Sequence, residues 1–488
     1  MASVADVRDV IRGALATLTG FGGRIGARLI FIAFATHQFG AAKFGDLGLV
    51  AAYVEILAAL AAVGLKRTLM GLMSEQEANG EPVEGLLLAM VCSSLILAII
   101  LSGLFGLAWP YVIPDAGAMP LVLYLALPSF VVADVLGAAT RYKRIIKWDV
   151  LARTFVEPWV LLLVKMLLYW TRDLDTGLLV AYSCSIAAAA IFCLYGVFNT
   201  YGLSALKKAR FSWRMLIDIP VKSFPAGITD MGVFSFRRLD LIILRFFVGA
   251  EASGVYYAVQ QLATVPQKVY QLFEPMMAPV IAKLHQNANP KKIEVKLVST
   301  VRWVFILQIG ITVSLLAFGT NVLGLFGTDF RSGLLIMIII LSAELFDGTF
   351  ALVETVLIFI RPKLAMTLIL ITLVIEAIAV SVGAYYLGAE GAAYGFLFAM
   401  LSLAMGRYLA AKFELKISIL NSSFLKPTLA AALLAVALLA FQYFVPLESG
   451  YITALAFIIG LAGYLYSIKR FALSQEDAVM LKRLRRGR

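Results

Sequence analysis

The chain has 488 residues, of which 61% are hydrophobic and 15% charged, and its mean hydropathy is +0.90. Ordinary soluble domains have about 45–50% apolar and about 25% charged residues, so this composition excludes a water-soluble protein and indicates a bilayer environment. The net charge of +12 would point to nucleic acid in a soluble protein, but in a membrane protein basic residues collect in cytoplasmic loops.

Apolar runs of about 20 residues recur along the whole chain, and each is long enough to cross about 30 Å of hydrocarbon as a helix. We therefore predict an all-α polytopic membrane protein of about fourteen transmembrane helices. The first run, from Gly13 to Phe39, is too long for the apolar region of a signal peptide, so we expect it to be retained as a helix. The predicted spans are 13–37, 45–65, 84–108, 118–139, 150–170, 177–199, 215–246, 252–282, 299–325, 331–360, 364–387, 390–412, 424–446 and 450–470.

Lysine and arginine are concentrated in every second loop between the predicted spans. One set holds most of them, including the tail at 482–486, whereas the opposite loops carry little beyond Lys43, Arg172 and Arg331. Because positive loops stay on the cytoplasmic side, this pattern predicts that both termini are cytoplasmic. The same pattern accounts for the positive net charge, so we expect no nucleic-acid partner. We expect the basic tail to contact membrane lipid.

Residues typical of cofactor or metal sites are scarce. The three cysteines, Cys92, Cys184 and Cys193, lie inside apolar runs at unrelated spacings, and the chain has two histidines. No phosphate-binding loop, catalytic triad or dinucleotide fingerprint occurs in the sequence. We therefore expect no cofactor, no metal ligands and no catalytic residues.

An internal repeat links the two halves of the chain. The segment beginning Gly40-Ala41-Ala42 is similar to the segment beginning at Gly249, and the same shift of 209 residues places Arg28 on Arg237. Transporters are commonly built from such repeats. The repeat predicts an N-terminal six-helix lobe (1–214), a C-terminal six-helix lobe (215–420), and two additional helices with a basic tail (421–488).

Basic residues inside the predicted spans form the first candidate site. Each costs several kcal/mol in the bilayer centre unless it has a polar partner or a wet cavity. Guanidinium groups bind phosphate bidentately and stay charged, so we predict a cationic cavity for an anionic headgroup. The alternative is that Arg237 pairs with Asp230 or Asp240 and that Arg24 meets Glu55. The predicted substrate-binding residues are Arg24, Arg28, Arg237, Arg238 and Lys268.

Acidic residues inside the spans form a second candidate group. Carboxylates in the membrane interior often serve proton or sodium coupling, and here they could equally neutralise the arginines. The candidates for ion coupling or counter-charge are Glu55, Asp230, Asp240, Glu344, Asp347 and Glu376.

Several short motifs, in order along the chain, resemble the polysaccharide-biosynthesis (Wzx-type) flippases of the multidrug/oligosaccharidyl-lipid/polysaccharide exporter superfamily. They are the stretch 39–48, Ser223-Phe224-Pro225, Arg237-Arg238-Leu239-Asp240, Gly254-Val255-Tyr256-Tyr257-Ala258 and the small-residue turn 387–395. Their order covers most of the chain, and it is more specific to the superfamily than to any one substrate.

The resemblance implies an exporter of the bacterial inner membrane that works by alternating access. Its implied substrate is an undecaprenyl-pyrophosphate-linked glycan destined for the cell surface, and polysaccharide polymerase or glycosyltransferases are the expected protein partners. A lipid II flippase is the close alternative, and a multidrug/cation antiporter is a more distant one because cations would be repelled by a basic cavity. A membrane enzyme should carry long external loops, and the predicted external loops are short.

Overall fold

The structure is a computed structural model that describes residues 4–112, 119–168, 177–209, 212–236, 238–271, 273, 290–419, 422–445 and 450–472. Within these ranges the regular secondary structure is helical, and no strand occurs. The prediction of an all-α protein is confirmed.

Packing divides the chain into two units, and the first, the N-terminal unit, comprises Thr19–Arg245. Its helices are α1 (Val4–Ala62), α2 (Leu65–Ala78), α3 (Val83–Val112), α4 (Met119–Tyr142), α5 (Lys147–Leu151), a π-helix (Ala152–Val156), α6 (Glu157–Leu168), α7 (Gly177–Tyr201), α8 (Leu203–Lys208), α9 (Met215–Phe236) and α10 (Leu239–Val248). Two of them, α1 and α10, extend beyond the bounds of the unit.

The second unit, the C-terminal unit, comprises Phe246–Arg488 together with Met1–Leu18. Short 3-10 segments cover Asp329–Gly333 and Ser422–Phe424, and a π-helix covers Ile468–Ala472. The helices are α11 (Ala250–Gln267), α12 (Pro290–Ala317), α13 (Gly319–Gly324), α14 (Leu334–Ile360), α15 (Pro362–Phe413), α16 (Leu425–Phe444) and α17 (Gly450–Ser467).

Nine helices among the described residues are long and apolar enough to cross a membrane. Two of them, in α1 and α15, each contain two of the predicted spans. Each of the fourteen predicted spans is mostly helical where the structure describes it, and short turns interrupt several of them, such as the turn at Val63 and Gly64 at the end of the second span. The chain is a multi-pass membrane protein.

Glycines in an unusual backbone conformation join consecutive spans. Gly40 has φ 75° and ψ 179°, Gly249 has φ 94° and ψ −172°, and Gly388 has φ 62° and ψ −139°. This region of backbone space is essentially restricted to glycine because a Cβ atom would clash there. Gly40 and Gly249 are equivalent positions of the repeat, so the repeat seen in the sequence is matched by the local backbone in each unit.

Helix α9 packs within the N-terminal unit, against α2 and α3. The backbones meet closely, since a Cβ atom added at Gly64 would lie 2.3 Å from the amide nitrogen of Gly227. One turn away the hydroxyls of Thr68 and Ser223 are hydrogen-bonded at 2.8 Å. The predicted lobe boundaries at 214 and 420 came from the repeat rather than from packing, and they stay a prediction.

Candidate functional site

Two arginines lie one turn apart in α1 of the N-terminal unit. Arg24 and Arg28 are both partly buried, and neither makes an ion pair within the described part of the chain. The charged groups near enough to act on the partly buried Arg24 are Glu157, Arg28, Arg153 and Glu55. Because the helix around them is apolar, these two guanidinium groups need polar partners that α1 does not supply.

Glu55, in the second span of α1, pairs with Arg238 at the start of α10. Arg238 donates from Nε to Oε2 at 2.7 Å and from an Nη atom to Oε1 at 2.9 Å, which is the bidentate geometry of an arginine and a carboxylate. The sequence-based alternative joined Glu55 to Arg24, whereas the structure gives its ion pair to Arg238. Of the predicted cationic set, Arg238 is therefore neutralised inside its own unit.

The remaining predicted charges of α9 and α10 are deeply buried carboxylates. Asp230 is 8% exposed and Asp240 is fully buried. Asp240 lies in the first turn of α10, where its Oδ1 accepts a hydrogen bond from the Leu241 amide at 2.8 Å, a position that favours negative charge. Arg237 lies outside the described residues, so its role and its proposed pairing with either aspartate stay predictions.

A charge network between α4 and the π-helix was missed in the sequence. Arg153 donates to Asp134 and, at 3.3 Å, to Glu157, while its guanidinium lies 4.5 Å from the centre of the Phe130 ring. The π-helix Ala152–Val156 surrounds Arg153, and such bulges are frequent at functional sites. The available signal was the lone charge Asp134 in the fourth apolar run, together with Arg153 and Glu157 one turn apart in the fifth.

In the C-terminal unit, Arg407 of α15 binds two carboxylates of α14. It donates to Asp347 at 2.7 Å and also to Glu354, and the Arg407 side chain is 7% exposed. Asp347 and Glu354 are seven residues apart and hence on one helix face, which calls for a counter-charge from another helix. Arg407 was absent from the predicted site, although it is the arginine within the apolar run 390–412.

The other predicted residues of this unit are dispersed. Glu344, three residues before Asp347 in α14, accepts a hydrogen bond from Gln267 at 3.0 Å. Lys268 is partly buried and directly follows the end of α11, and Glu376 is fully buried in α15. Glu344 and Asp347 are thus brought together on α14, whereas the roles assigned to Lys268 and Glu376 stay predictions.

Residues 10–285, more than half of the chain, match the family described as polysaccharide biosynthesis protein. The chain belongs to the polysaccharide biosynthesis protein family. A comparison with curated proteins by sequence found no match.

Solved structures with the same fold are membrane transporters. The lipid II flippase MurJ, in an inward closed conformation, has a TM-score of 0.74 at 14% identity and covers 94% of this chain and 99% of its own. An inward-facing multidrug resistance MATE transporter of the MOP superfamily has a TM-score of 0.65 at 14% identity, with 83% and 98% covered. The Vibrio cholerae MATE transporter VcmN has a TM-score of 0.54 at 15% identity, with 84% and 97% covered. This polysaccharide biosynthesis family member therefore has the flippase-type transporter fold of that superfamily.

Proposed function

We propose that this protein is a flippase that carries a polyprenyl-pyrophosphate-linked oligosaccharide across the bacterial inner membrane for export of a surface polysaccharide. The observation that carries the proposal is the arginine pair of α1. Arg24 and Arg28 lie in an apolar helix without an ion pair among the described residues. A pyrophosphate offers the bidentate oxygens that two guanidinium groups one turn apart can bind.

Three other arginines in the described spans are already neutralised. Arg153, Arg238 and Arg407 each donate to at least one carboxylate of their own unit. These ion pairs hold neighbouring helices together, because separating the helices would leave a buried charge without its partner. The α1 pair is different because neither arginine forms an ion pair with any described residue, which supports a ligand-binding role.

A groove between α16 and α17 supports the lipid half of the proposed substrate. Its volume is about 940 Å³, and its lining is mostly apolar, with aliphatic residues such as Leu433 and Ile459 and aromatic residues such as Phe441. Lys426 is the one charged residue of the lining. A polyprenyl chain has no polar groups, so an apolar groove that opens towards lipid is a suitable surface for it.

The proposed mechanism is alternating access without covalent chemistry. In the state open to the cytoplasm, the pyrophosphate head reaches Arg24 and Arg28, and the conformational change then exposes it on the other side. The proposal places both termini in the cytoplasm and includes polysaccharide polymerase or glycosyltransferases as partners.

A lipid II flippase is the second candidate, favoured by the fold match to MurJ along nearly the whole chain. Lipid II carries the same pyrophosphate, so the α1 arginines would serve either substrate. A multidrug/cation antiporter is less well supported because two arginines without ion pairs repel a cationic drug.

The test is flipping of a fluorescent polyprenyl-pyrophosphate oligosaccharide in proteoliposomes, with fluorescent lipid II as a parallel substrate. Arg24→Ala and Arg28→Ala each remove a charge-assisted contact worth about 1.5–3 kcal/mol, so we expect substrate affinity to fall about 10- to 100-fold. Arg361→Ala is the matched control, since Arg361 is 61% exposed. Normal transport by both α1 variants would exclude the arginine mechanism, and preferential flipping of lipid II would favour the second candidate.

A further inference from the structure

We propose that Glu157, the first residue of α6, is a positioning residue for Arg24 that limits how tightly this arginine holds an anionic headgroup. The Glu157 carboxylate lies near the Arg24 guanidinium without forming an ion pair with it, so it competes with a bound phosphate for the same positive charge. The inference rests on the proposed function, because it requires the arginines of α1 to bind a pyrophosphate.

The two oxygens of the Glu157 carboxylate have different surroundings. Oε2 accepts a hydrogen bond from Arg153 at 3.3 Å, whereas Oε1 accepts none from a residue that the structure describes. The side chain is 25% exposed, so it is not enclosed by the packing of the neighbouring helices. A carboxylate can accept from more than one cationic donor, and Glu157 therefore has an acceptor available for a second arginine.

Arg153 does not depend on Glu157 for its counter-charge. It also donates from Nη2 to Asp134, and its guanidinium lies 4.5 Å from the centre of the Phe130 ring. Three groups thus hold Arg153 in place within the π-helix that directly precedes Glu157. Because Arg153 keeps Asp134 in any case, the negative charge of Glu157 can be shared with another cation.

A contact near the C-terminal end of α6 brings this helix against α1. The Lys165 ammonium lies 3.9 Å from the centre of the Phe39 ring. Glu157 is eight residues before Lys165, which is about 12 Å along a helix. Arg28 is eleven residues before Phe39, which is about 16 Å. The first and fifth spans cross the membrane in the same direction, so Glu157 lies within about one helical turn of the level of Arg28.

The carboxylates near enough to act on Arg24 include Glu157 and Glu55, and Glu157 acts more strongly. Both oxygens of Glu55 accept from Arg238, at 2.7 and 2.9 Å. Glu55 is therefore engaged in a bidentate pair, whereas Glu157 has an oxygen without a donor in the described chain. Of the two, Glu157 is the carboxylate that can draw Arg24 away from a ligand.

This arrangement sets the charge that a headgroup meets. Arg153 and Asp134 offset each other, so Glu157 opposes the two positive charges of Arg24 and Arg28. A pyrophosphate bound to both arginines is attracted by their charges and repelled by that of Glu157, which keeps its bond to Arg153. The repulsion weakens binding, and a transporter benefits because a substrate that is held less tightly is released sooner on the other side.

The first test is calorimetric titration of inorganic pyrophosphate into the purified full-length chain in detergent. Glu157→Gln keeps the size of the side chain and removes its charge, so we expect pyrophosphate to bind about tenfold more tightly than to the wild type. Glu157→Asp keeps the charge and should bind close to the wild type. Glu75→Gln is the matched control, because it removes the charge of an exposed glutamate in α2 and should leave binding unchanged. A gain in affinity is not what a purely structural role predicts, since a damaged site binds more weakly.

The second test asks whether Glu157 acts through Arg24. In a chain that already carries Arg24→Ala, the further change Glu157→Gln should lose most of its effect on pyrophosphate binding. In proteoliposomes, Glu157→Gln alone should lower both the half-saturating concentration and the maximal rate of glycolipid flipping, because a tighter complex releases its substrate more slowly.

Two results would overturn the inference. One is a folded Glu157→Gln variant that binds pyrophosphate no more tightly than the wild type. The other is a full tenfold gain that persists without Arg24, which would mean that Glu157 acts on the ligand directly. Failure of the proposed function has a different signature, since wild type and Glu157→Gln would then both bind no pyrophosphate, and the role of Glu157 would be lost with the arginine site.

Discussion

Helices α1 and α14 both carry charged residues inside apolar segments, but the two sets of charges differ in sign and in their ion pairs. In α1 of the N-terminal unit, Arg24 and Arg28 lie one turn apart without ion pairs in the described chain. In α14 of the C-terminal unit the charges are acidic, and Arg407 from a neighbouring helix binds two of them. The backbone motif at Gly40 and Gly249 repeats between the units, but α1 and α14 do not occupy equivalent positions of that repeat. The comparison shows that a charge in an apolar helix can be held by an ion pair inside its own unit, as in α14, or be without one among the described residues, as in α1.

The largest effect should come from breaking the charge cluster of α14. Arg407→Leu leaves Asp347 and Glu354 buried without their counter-charge, and we expect the free energy of unfolding to fall by about 3–5 kcal/mol. Thermal or denaturant unfolding in detergent measures the loss. Arg361→Leu is the control, since its pair with Glu414 is at 3.6 Å and solvent-exposed and should contribute about 0–1 kcal/mol. Equal stability of the two variants would mean that the cluster does not hold α14 and α15 together.

The corresponding pair in the N-terminal unit should matter less. Arg238→Ala removes two charge-assisted hydrogen bonds to Glu55, and the two side chains are 16% and 23% exposed. We expect a loss of about 1.5–3 kcal/mol in the free energy of unfolding. The double variant Arg238→Gln with Glu55→Gln should recover much of that loss, because no charge is then left alone. A double variant less stable than either single one would show that the pair is not an isolated unit.

The repeated glycines provide a comparison that does not involve charge. Gly40 and Gly249 have positive φ and no atom within 4 Å of an added Cβ, so alanine there introduces backbone strain alone. We expect each substitution to cost about 1–2 kcal/mol in the free energy of unfolding. Gly103→Ala is the control, because Gly103 lies inside α3 with similar open space and should be neutral or stabilised by up to about 1 kcal/mol. Unequal costs at Gly40 and Gly249 would argue that the two positions are not equivalent.

Substitution of Arg28 should impair transport without a large loss of stability. Because Arg28 makes no ion pair within the described chain, Arg28→Ala should change the free energy of unfolding by no more than about 0.5 kcal/mol while it impairs flipping. Unfolding and proteoliposome assays on the same preparation test both halves of this prediction. A large loss of stability would reassign Arg28 to a structural role, like that of Arg407.

The smallest effect concerns an exposed contact between α2 and the end of α4. A hydrogen bond from Tyr142 and the charge of Lys143 lower the pKa of Glu77 below its ordinary value of 4.5. A carboxylate with a lowered pKa contributes stability above its unfolded-state pKa and loses it as the pH falls through the folded-state value. Tyr142→Phe should therefore flatten the dependence of the unfolding midpoint on pH below pH 4.5, whereas Tyr111→Phe should leave it unchanged.

Hydropathy and loop charge were enough to predict the helices, because each span is determined by its own residues. The same local information identified charged residues that need a polar partner or a ligand inside the membrane, namely Arg24, Arg28, Glu55, Glu344 and Asp347. These residues were found because an ionisable group in an apolar run is unusual in itself.

The pairings could not be predicted, because they depend on which helices pack together. Glu55 and Arg238 are separated by 183 residues, and the partner suggested for Glu55 from the sequence was Arg24. Arg407 was overlooked since it lies near the end of a helix, where an arginine normally reaches the interface. Gln308 and Thr312 carry no net charge, so hydropathy and charge gave no sign that their buried oxygens have no hydrogen-bond partner among the described residues.

The glycine kink in α1 has a consequence for topology mapping. The segment Gly23–Ala62 would be about 60 Å long as a straight helix, twice the hydrocarbon thickness, and its two spans meet at Gly40 without an intervening loop. Because no loop separates the two spans, a reporter or protease site inserted at Gly40 should disrupt the membrane insertion of both. The exposed turn around Gly80, between α2 and α3, can accept the same insertion, so it is the position from which the orientation of this hairpin can be read without damaging it.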